Sequence, residues 1–335
     1  MPIKIAINGF GRIGRAAFKV ALTKKKYEVV AINDLMEPDV LAGLLRHDTV
    51  YGAFKGVVKS DKKNLIVNGK KYPIVAQKDP TKLPWKKYKV DVVLECTGRF
   101  TKAEHAKAHL KAGAKKVILS APAKGDETPT YILGVNAIGK IKQDIISNAS
   151  CTTNCISPVA QVMVFAFGVK KAMMTTVHSY TTEQNIIDGP PPHLHKDMRR
   201  ARAAAQNIVP TTTGAAKAVF KILPELKGVF DGMAVRVPTI CGSLADFTFV
   251  LKKKVTVGQV NNALKRAASN PRFKGILEVT TEPLVSSDII SNPASSIVDL
   301  SLTQVVGGDL VKVVAWYDNE WGYANRLVEL VEKVI

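Results

Sequence analysis

The stretch that decides the fold is KIAINGFGRIG at residues 4–14. An apolar strand leads into a turn with glycine at Gly9, Gly11 and Gly14, and residues 15–22 after it have helical character. Those glycines allow a tight turn and let the backbone at a helix start come close to a pyrophosphate. A strand, a G-x-G-x-x-G turn and a helix in this order are typical of a doubly wound α/β domain that binds a dinucleotide.

A carboxylate follows at the spacing that such a site needs. A second apolar strand, residues 27–32, ends at Asn33 and Asp34, so Asp34 lies 20 residues beyond Gly14. A carboxylate there accepts hydrogen bonds from the adenosine ribose and repels a 2′-phosphate. The pattern therefore favours NAD over NADP, and the alternative is a glycine-rich turn followed by an unrelated aspartate.

Later strands extend the same predicted sheet. Residues 90–95 and 116–119 have the character of buried strands, and they end at Thr97 and Ser120. Strands that alternate with helices form a mostly parallel sheet, whose ligands bind outside the carboxyl ends of the strands. Thr97 and Ser120 are therefore expected at the same edge as the glycine turn.

Length and composition indicate a folded chain of two domains. The 335 residues exceed what one core usually accommodates, and 46% of them are hydrophobic. The composition changes near residue 150. We predict a dinucleotide-binding domain at 1–150, a catalytic domain at 151–317, and a C-terminal helix within 318–335 that packs back on the first domain.

Cysteine usage and hydropathy bear on the setting of the protein. Four cysteines in so long a chain do not make a disulfide framework, which favours a reducing, cytoplasmic environment. The chain starts without a signal-peptide pattern, and no apolar run approaches the ~20 residues of a membrane span. Cys151 and Cys155 have no Cys or His pair placed to complete a metal site, so no metal is expected.

The chain is strongly basic, with 48 Lys and Arg against 28 Asp and Glu, a net charge of +20. Much of the excess lies in short lysine clusters of the first domain, at 24–26, 62–63, 70–71, 86–89 and 115–116. A nucleic-acid surface is one interpretation, and a solvated basic face that attracts anionic metabolites is the other. Because no RNA-binding motif is present, we favour the second.

A candidate nucleophile lies in SNASCTTNC at residues 147–155. Short hydroxyl and amide side chains are typical of a helix start, whose amides and dipole favour the thiolate form of Cys151. A strand at 172–177 ends at His178, which could stabilise that thiolate and exchange a proton with a substrate oxygen. The alternative is a buried structural cysteine and an unrelated structural histidine.

Two further features of the second domain are typical of an anion site. Residues 210–214, PTTTG, open a helix with hydroxyls and free amides. Arg236 lies in an otherwise apolar strand and needs a partner, which a bound phosphate or a structural carboxylate would supply. The long segment at 179–202 shows no periodicity, as expected for a functional or a disordered loop.

Five motifs together resemble the phosphorylating glyceraldehyde-3-phosphate dehydrogenases. They are GFGRIGR at 9–15, ASCTTNC at 149–155, TVHSYT at 176–181, TGAAKA at 213–218 and WYDNE at 316–320. The resemblance extends from residue 3 to the C-terminal helix. It implies a Rossmann-type domain beside an α+β catalytic domain with a mixed or antiparallel sheet, in a cytoplasmic homotetramer of glycolysis or gluconeogenesis.

The resemblance also implies roles for individual residues. Cys151 would attack the aldehyde of glyceraldehyde 3-phosphate, and His178 would take the hydroxyl proton while hydride passes to NAD. Inorganic phosphate would then cleave the thioester. Cofactor contacts are expected at Gly9, Gly11, Arg12, Ile13, Gly14, Asp34, Lys78, Thr97, Ser120 and Asn319. The two phosphates are expected among Ser150, Thr152, Thr181, Arg199, Thr213, Gly214 and Arg236.

Some points stay open at this stage. The loop at 190–195 is longer than in bacterial-type relatives, which leaves undecided its cofactor contacts and whether Arg199 or Arg200 binds phosphate. An erythrose-4-phosphate dehydrogenase, which releases the acyl group with water, is an alternative function. A nucleic-acid-binding protein on the same scaffold is another, although nucleic acid is not expected as the main partner. Phosphate dependence and salt-sensitive RNA binding at saturating NAD distinguish these alternatives.

Overall fold

Strands and helices alternate through the first part of the chain, as the sequence predicts. The computed structural model describes residues 1–190 and 197–335. In the first part the strands are β1 Ile3–Asn8, β2 Tyr27–Asn33, β3 His47–Asp48, β4 Gly52–Ala53, β5 Val58–Ser60, β6 Asn64–Val67, β7 Lys70–Val75, β8 Val92–Glu95, β9 Lys116–Leu119 and β10 Ile145–Ser147. The helices are α1 Arg12–Leu22, α2 Pro38–Arg46, α3 Trp85–Tyr88 and α4 Ala103–Lys111.

These strands form a doubly wound sheet in the order β10-β9-β8-β1-β2-β7-β6-β5. The six strands from β10 to β7 are parallel, and β6 and β5 extend the edge as antiparallel partners. Read from β7, the parallel strands have the order 3-2-1-4-5-6 of dinucleotide-binding sheets. The predicted Rossmann-type fold of this domain is confirmed.

The second part of the chain forms a mixed sheet. Its strands are β11 Val169–Ser179, β12 Val209–Thr212, β13 Phe230–Val237, β14 Ser243–Leu251, β15 Leu277–Thr280, β16 Ser296–Val306 and β17 Leu310–Tyr317. Its order is β12-β13-β11-β14-β17-β16-β15, with β11–β13 and β15–β16 parallel and the other pairs antiparallel. The remaining helices are α5 Cys151–Phe167, α6 Ala215–Phe220, α7 Val257–Ala268, α8 Trp321–Glu329 and α9 Val331–Val334. The predicted mixed sheet is confirmed.

The chain divides into two units close to the predicted boundary. The first unit contains residues 1–131, 139–149 and 324–335, and the second contains 132–138 and 150–323. The C-terminal residues 324–335 therefore group with the first unit, and residues 132–138 group with the second. The domain bounds themselves stay a prediction. Within the second unit, Arg272 donates to the carbonyl of Gly134, which accounts for the position of that short segment.

The long loop and the helices bear on two expectations from the sequence. Most of the loop that the sequence predicts to be longer, residues 191–196, lies outside the described residues. None of the helices in the described ranges combines the length and the apolar composition of a membrane span.

Candidate active site

The candidate nucleophile occupies the first position of α5. Ser150 is the N-cap, and its Oγ accepts a hydrogen bond from the Thr153 N–H at 3.1 Å. The preceding Ala149 has a φ of +53°, so the chain turns sharply into the helix. Cys151 is partly exposed at this helix end, whereas Cys155, one turn later, is completely buried. The helix start therefore presents one sulfur at an accessible position.

The structure brings His178 to this sulfur. His178 is buried near the end of β11, and its Nε2 lies 3.4 Å from Cys151 Sγ. On the other side of the ring, Nδ1 lies 2.7 Å from the carbonyl oxygen of Ser179, which can only accept. Arg236 Nη1 lies 3.0 Å from the same Nδ1, but it can donate to the Ser179 carbonyl and Thr181 Oγ1 instead. We therefore assign the proton of the neutral ring to Nδ1, which leaves Nε2 as the free base that faces the sulfur.

Burial decides the charge of both groups. It lowers the pKa of His178 to about 3, with Arg236 acting in the same direction, so the imidazole is neutral near pH 7. Burial also raises the pKa of the Cys151 thiol, although Arg236 and the hydrogen bonds of Thr152 oppose it. This is opposite to the expectation that the helix start would make Cys151 a thiolate, because desolvation exceeds the favourable interactions. Nε2 can still take the Sγ proton while the sulfur attacks, so the pair can act without a resident thiolate.

Tyr317 packs beside the pair and is a residue to which the sequence reasoning assigns no role. Its Oη lies 3.0 Å from Thr152 Oγ1 and 2.8 Å from Thr176 Oγ1. Its ring meets His178 edge-on, with the centroids 5.8 Å apart. These contacts fix the imidazole between strand and helix. Its place at the end of β17, two residues before Asn319, is the signal that could have identified it.

A buried arginine adjoins the histidine. The parallel register of β11 and β13 pairs His178 with Arg236, and Arg236 Nη1 donates to the Ser179 carbonyl at 3.0 Å and to Thr181 Oγ1 at 3.3 Å. Its Nε has no hydrogen-bond partner within the described part of the chain, although it is buried. An unsatisfied buried guanidinium N–H is costly unless a ligand completes it. Arg236 and Thr181 therefore form a candidate anion site next to Cys151 and His178.

The structure separates the two arginines that the sequence leaves undecided. The side chain of Arg199 is 58% exposed and pairs with Asp197 at 2.9 Å. The side chain of Arg200 is 7% exposed; it donates to Thr211 Oγ1 at 3.0 Å and pairs with Glu183 at 2.5 Å. Both arginines belong to a 3₁₀ turn, which points successive side chains in different directions.

Arg199 thus does not reach Arg236. Arg200 occupies the position next to Arg236 that the sequence analysis expects for Arg199. Glu183 connects the two buried arginines, because its carboxylate also lies 3.9 Å from Arg236 Nη2. With one carboxylate between two guanidinium groups, the cluster of Arg200, Glu183 and Arg236 keeps an excess positive charge. Such a cluster suits a phosphate, which guanidinium groups bind through paired N–H donors.

The other expected anion ligands lie at two helix starts. Ser150 and Thr152 flank Cys151, and their hydroxyls contact Thr153 and Tyr317 respectively. Thr213 and Gly214 precede α6, where Thr213 Oγ1 accepts from the Ala215 N–H at 3.1 Å. In the described ranges, no hydrogen bond joins Thr213 or Gly214 to Cys151, His178 or Arg236. Their role as phosphate ligands stays a prediction.

Asn319 is held by hydroxyl groups at the ends of two neighbouring strands. Its Oδ1 accepts from Ser179 Oγ at 2.9 Å, from Ser243 Oγ at 3.0 Å and from the Gly242 N–H at 3.2 Å. Ser243 Oγ itself accepts from the Ser179 N–H, so its single proton goes to Asn319. These donors fix the amide orientation and leave Nδ2 as the atom that can donate to a ligand.

The turn with Gly9, Gly11 and Gly14 in the first unit forms a concave backbone surface, called the cradle below, that carries no glycine side chains. Gly9 has a φ of +92°, and a Cβ on Gly14 would lie 2.0 Å from the Gly9 carbonyl oxygen. Gly11 caps α1 without a side-chain hydrogen bond, so the first turn presents backbone amides. A helix start made of backbone alone fits a pyrophosphate, as an NAD site requires. Ile13 lies in this first turn.

Asp34 lies directly after β2 at the same edge. Its Oδ2 accepts from the Phe10 N–H at 2.7 Å, and its Oδ1 accepts from the Met36 N–H at 3.0 Å. Each oxygen retains a lone pair, so the carboxylate can also accept from ribose hydroxyls. This arrangement fits the role predicted for Asp34.

The remaining residues predicted to contact the cofactor differ in how many hydrogen bonds or ion pairs they already make within the protein. Thr97 follows β8, where its Oγ1 donates to Glu95 Oε1 and accepts from the Arg99 N–H. Ser120 follows β9 and is partly buried. Arg12 pairs with Asp48 at 2.9 Å, and Lys78 is exposed. Thr97 and Ser120 lie at the expected edge, while the parts of Arg12 and Lys78 in binding stay predictions.

Comparison with known proteins gives matches to a single family. Two family models match: the NAD binding domain of glyceraldehyde 3-phosphate dehydrogenase over residues 3–103, and its C-terminal domain over residues 150–319. A glyceraldehyde-3-phosphate dehydrogenase from Priestia megaterium is 54% identical over 100% of this chain and 98% of its own length. Proteins of that name from Bacillus cereus and Geobacillus stearothermophilus are each 53% identical over 98% of the chain and 97% of their own length.

Proposed function

Because this chain belongs to the glyceraldehyde-3-phosphate dehydrogenase family, as an NAD-dependent oxidoreductase of the phosphorylating type, we propose that Cys151 is its nucleophile and His178 its base. The observation that supports these roles is the 3.4 Å distance between His178 Nε2 and Cys151 Sγ at an accessible helix start. The substrate is glyceraldehyde 3-phosphate, and the second substrate is inorganic phosphate.

The proton path follows from the tautomer. Nε2 of His178 accepts the Sγ proton as the sulfur attacks the aldehyde carbon, and returns it to the carbonyl oxygen to give a thiohemiacetal on Cys151. Nε2 then withdraws that hydroxyl proton as the carbon is oxidised to a thioester. Inorganic phosphate attacks the thioester carbon, the C–S bond breaks, and the acyl phosphate 1,3-bisphosphoglycerate leaves. The sulfur then recovers its proton.

The residues present fit NAD. The backbone cradle of Gly9, Gly11 and Gly14 would hold the pyrophosphate, and Asp34 would accept from the ribose hydroxyls. Asn319 Nδ2 would donate to the carboxamide of the nicotinamide and fix which ring face meets the substrate. When bound, NAD supplies the acceptor for the hydride that the substrate carbon releases.

The two phosphates would lie around the catalytic pair. Arg200, Arg236 and Thr181 supply charge and donors next to His178, and Ser150 and Thr152 supply hydroxyls beside Cys151. These groups would hold two anions that otherwise repel each other. Arg200 replaces Arg199 in this assignment because of its burial against Thr211 and Glu183.

The assembly and location are also part of the proposal. The resemblance implies a homotetramer in the cytoplasm, and analytical ultracentrifugation would test the assembly. The erythrose-4-phosphate and nucleic-acid alternatives are not favoured, since every relative named above is a glyceraldehyde-3-phosphate dehydrogenase.

The decisive experiment follows the acyl group. The enzyme is mixed with NAD and substrate without phosphate, quenched in acid and digested, and the Cys151 peptide is examined by mass spectrometry. We expect a 3-phosphoglyceroyl thioester on Cys151 that disappears when phosphate is added. Cys151→Ser should give no adduct and no turnover while NAD affinity is retained, because a serine hydroxyl lacks thiolate character at neutral pH. Turnover without an adduct on residue 151 would refute the covalent route.

A further inference from the structure

A groove lined mainly by lysine lies at the amino-terminal edge of the first sheet. Its volume is about 380 Å³, within the ~300–1,000 Å³ of known ligand sites. The lining contains one carboxylate, Glu28, and five lysines, namely Lys4, Lys70, Lys71, Lys87 and Lys89. None of these residues takes part in the proposed dehydrogenase reaction.

Strand direction explains why distant lysine clusters meet here. Lys4 is the second residue of β1 and pairs in register with Glu28 of β2, and Lys70 begins β7 next to β2. Because these strands are parallel, their amino ends lie at one edge. The short α3 delivers Lys87 to the same edge, ahead of β8.

The groove gathers charge that carboxylates do not neutralise. Lys70 pairs with Glu28 at 3.1 Å and Lys71 with Asp61 at 3.3 Å. The ammonium groups of Lys4, Lys87 and Lys89 have no carboxylate within 4.0 Å in the described part of the chain, although the backbone N–H of Lys4 donates to Asp91 Oδ2 at 2.9 Å. In the clusters at 24–26 and 115–116 most lysines pair with carboxylates: Lys24 with Glu329, Lys26 with Glu332, Lys115 with Asp91 and Lys116 with Asp144.

The spacing and the chemistry of the lysines indicate which class of ligand the groove can bind. Neighbouring strands lie about 4.8 Å apart, so Lys4 on β1 and Lys70 on β7 are separated by two spacings, about 10 Å, more than one phosphate bridges. Lysines are point charges without the planar forks that read bases. The one aromatic ring of the groove, Tyr88, has the Lys87 ammonium 5.7 Å from its centroid. We propose that this groove binds a linear polyphosphate chain.

The groove and the NAD cradle lie at opposite ends of the same strand. Lys4 is the second residue of β1 and Gly9 directly follows the strand, so the two are five residues apart, which corresponds to roughly 16 Å of extended chain. The two ligands therefore bind without overlap. The proposal does not depend on the dehydrogenase reaction, because the test measures binding alone.

The test uses the full-length protein and fluorescently labelled inorganic polyphosphate. The groove variant carries Lys4→Gln, Lys87→Gln and Lys89→Gln together. The control carries Lys25→Gln, Lys55→Gln and Lys107→Gln, three exposed lysines of the same unit, so both variants lose the same charge. We expect about tenfold weaker binding in the groove variant and less than about twofold in the control, because each exposed ion pair contributes a few-fold. Equal weakening in both would refute a localised site.

Three further measurements complete the test. Unchanged NAD affinity and melting temperature in the groove variant show that it is folded, and Lys→Arg at the same three positions should retain binding. Saturating NAD should leave polyphosphate affinity unchanged; competition between the two would overturn the assignment to the amino-terminal edge. A single-stranded oligonucleotide of equal charge should bind no more tightly than polyphosphate. Tighter binding would indicate base recognition and overturn the polyphosphate proposal.

Discussion

At the scale of the single residue, the behaviour of His178 follows from its burial. A solvated imidazole is partly protonated near neutral pH, and a protonated ring cannot accept the thiol proton. Burial and the nearby Arg236 lower the pKa of His178 to about 3, so nearly every molecule holds the neutral form at pH 7. The hydrogen bond from Nδ1 to the Ser179 carbonyl then leaves Nε2 as the basic atom.

Replacing His178 by asparagine removes the acceptor of the Cys151 proton. We expect kcat to fall by about 10²–10⁴. Alkylation of Cys151 near neutral pH should also slow, because no base remains beside the thiol to take its proton as the sulfur attacks. The measurement is the rate of inactivation by iodoacetamide as a function of pH. A profile identical to that of the parent enzyme would contradict the pairing.

His178 also makes the folded chain sensitive to acid. Its folded pKa of about 3 lies below the ordinary value of 6.5, so the unfolded chain binds the proton first as the pH falls. The free energy of unfolding therefore decreases between pH 6.5 and pH 3, by about 2 kcal/mol at pH 5. Urea denaturation at pH 7 and pH 5 should show a smaller loss for His178→Gln. His105→Gln, at a side chain 49% exposed, should keep the full loss.

The two neighbouring arginines provide a matched pair of substitutions. Arg200→Ala should raise KM for glyceraldehyde 3-phosphate by about 10–100-fold, because hydrogen bonds to a charged group are lost. Arg199→Ala should change KM little, since its guanidinium is exposed and bound to Asp197. Steady-state kinetics and NAD titration of both variants test this. A larger effect from Arg199 would restore the original assignment.

At the scale of the element, the turn between β1 and α1 tolerates no side chain at Gly14. A Cβ there would meet the Gly9 carbonyl at 2.0 Å, and backbone cannot move aside cheaply. Gly14→Ala should therefore weaken NAD binding by about tenfold or more, because the cradle must open. Isothermal titration measures the change.

Gly43→Ala is the control for that substitution. Gly43 lies in α2 with no atom within 4 Å of its added Cβ. Alanine should stabilise this helix by about 0.5–1 kcal/mol and leave NAD affinity unchanged. Retention of NAD binding by Gly14→Ala would refute the backbone cradle.

Elements whose signals are local were predictable from the sequence. The glycine turn, the N-cap of α5 and the strand that ends near His178 all lie within a few residues of their signals. Contacts set by strand pairing were not predictable. His178 meets Arg236 only because β11 lies beside β13, and Arg200 reaches Thr211 only because its turn packs on β12. The pKa of Cys151 depends in turn on the burial that this packing creates.

At the scale of the whole molecule, the last residues of the chain complete the first unit. Lys24 pairs with Glu329 at 2.7 Å, Tyr27 donates a hydrogen bond to Glu332, and the Ile141 N–H donates to the Lys333 carbonyl. Leu330, Val331 and Val334 are almost completely buried. The sheet of the first unit therefore depends on residues that lie far from its strands in the sequence.

Deleting residues 330–335 should destabilise the first unit strongly. Loss of three buried apolar side chains costs about 5 kcal/mol. Calorimetry should show a lower unfolding temperature and a weaker stabilisation by NAD. Deleting Ile335 alone should have little effect, because that residue is 41% exposed. A truncated chain as stable as the parent would contradict this dependence.

Ser179 has a consequence for how the site varies among related proteins. Its carbonyl accepts from both His178 and Arg236, and its hydroxyl donates to Asn319. The proposed roles in proton transfer, anion binding and cofactor orientation thus all depend on contacts with one amino acid. A shift of the Ser179 backbone would displace His178, Arg236 and Asn319 together. Substitutions at these four positions should therefore occur in combination among related proteins rather than singly.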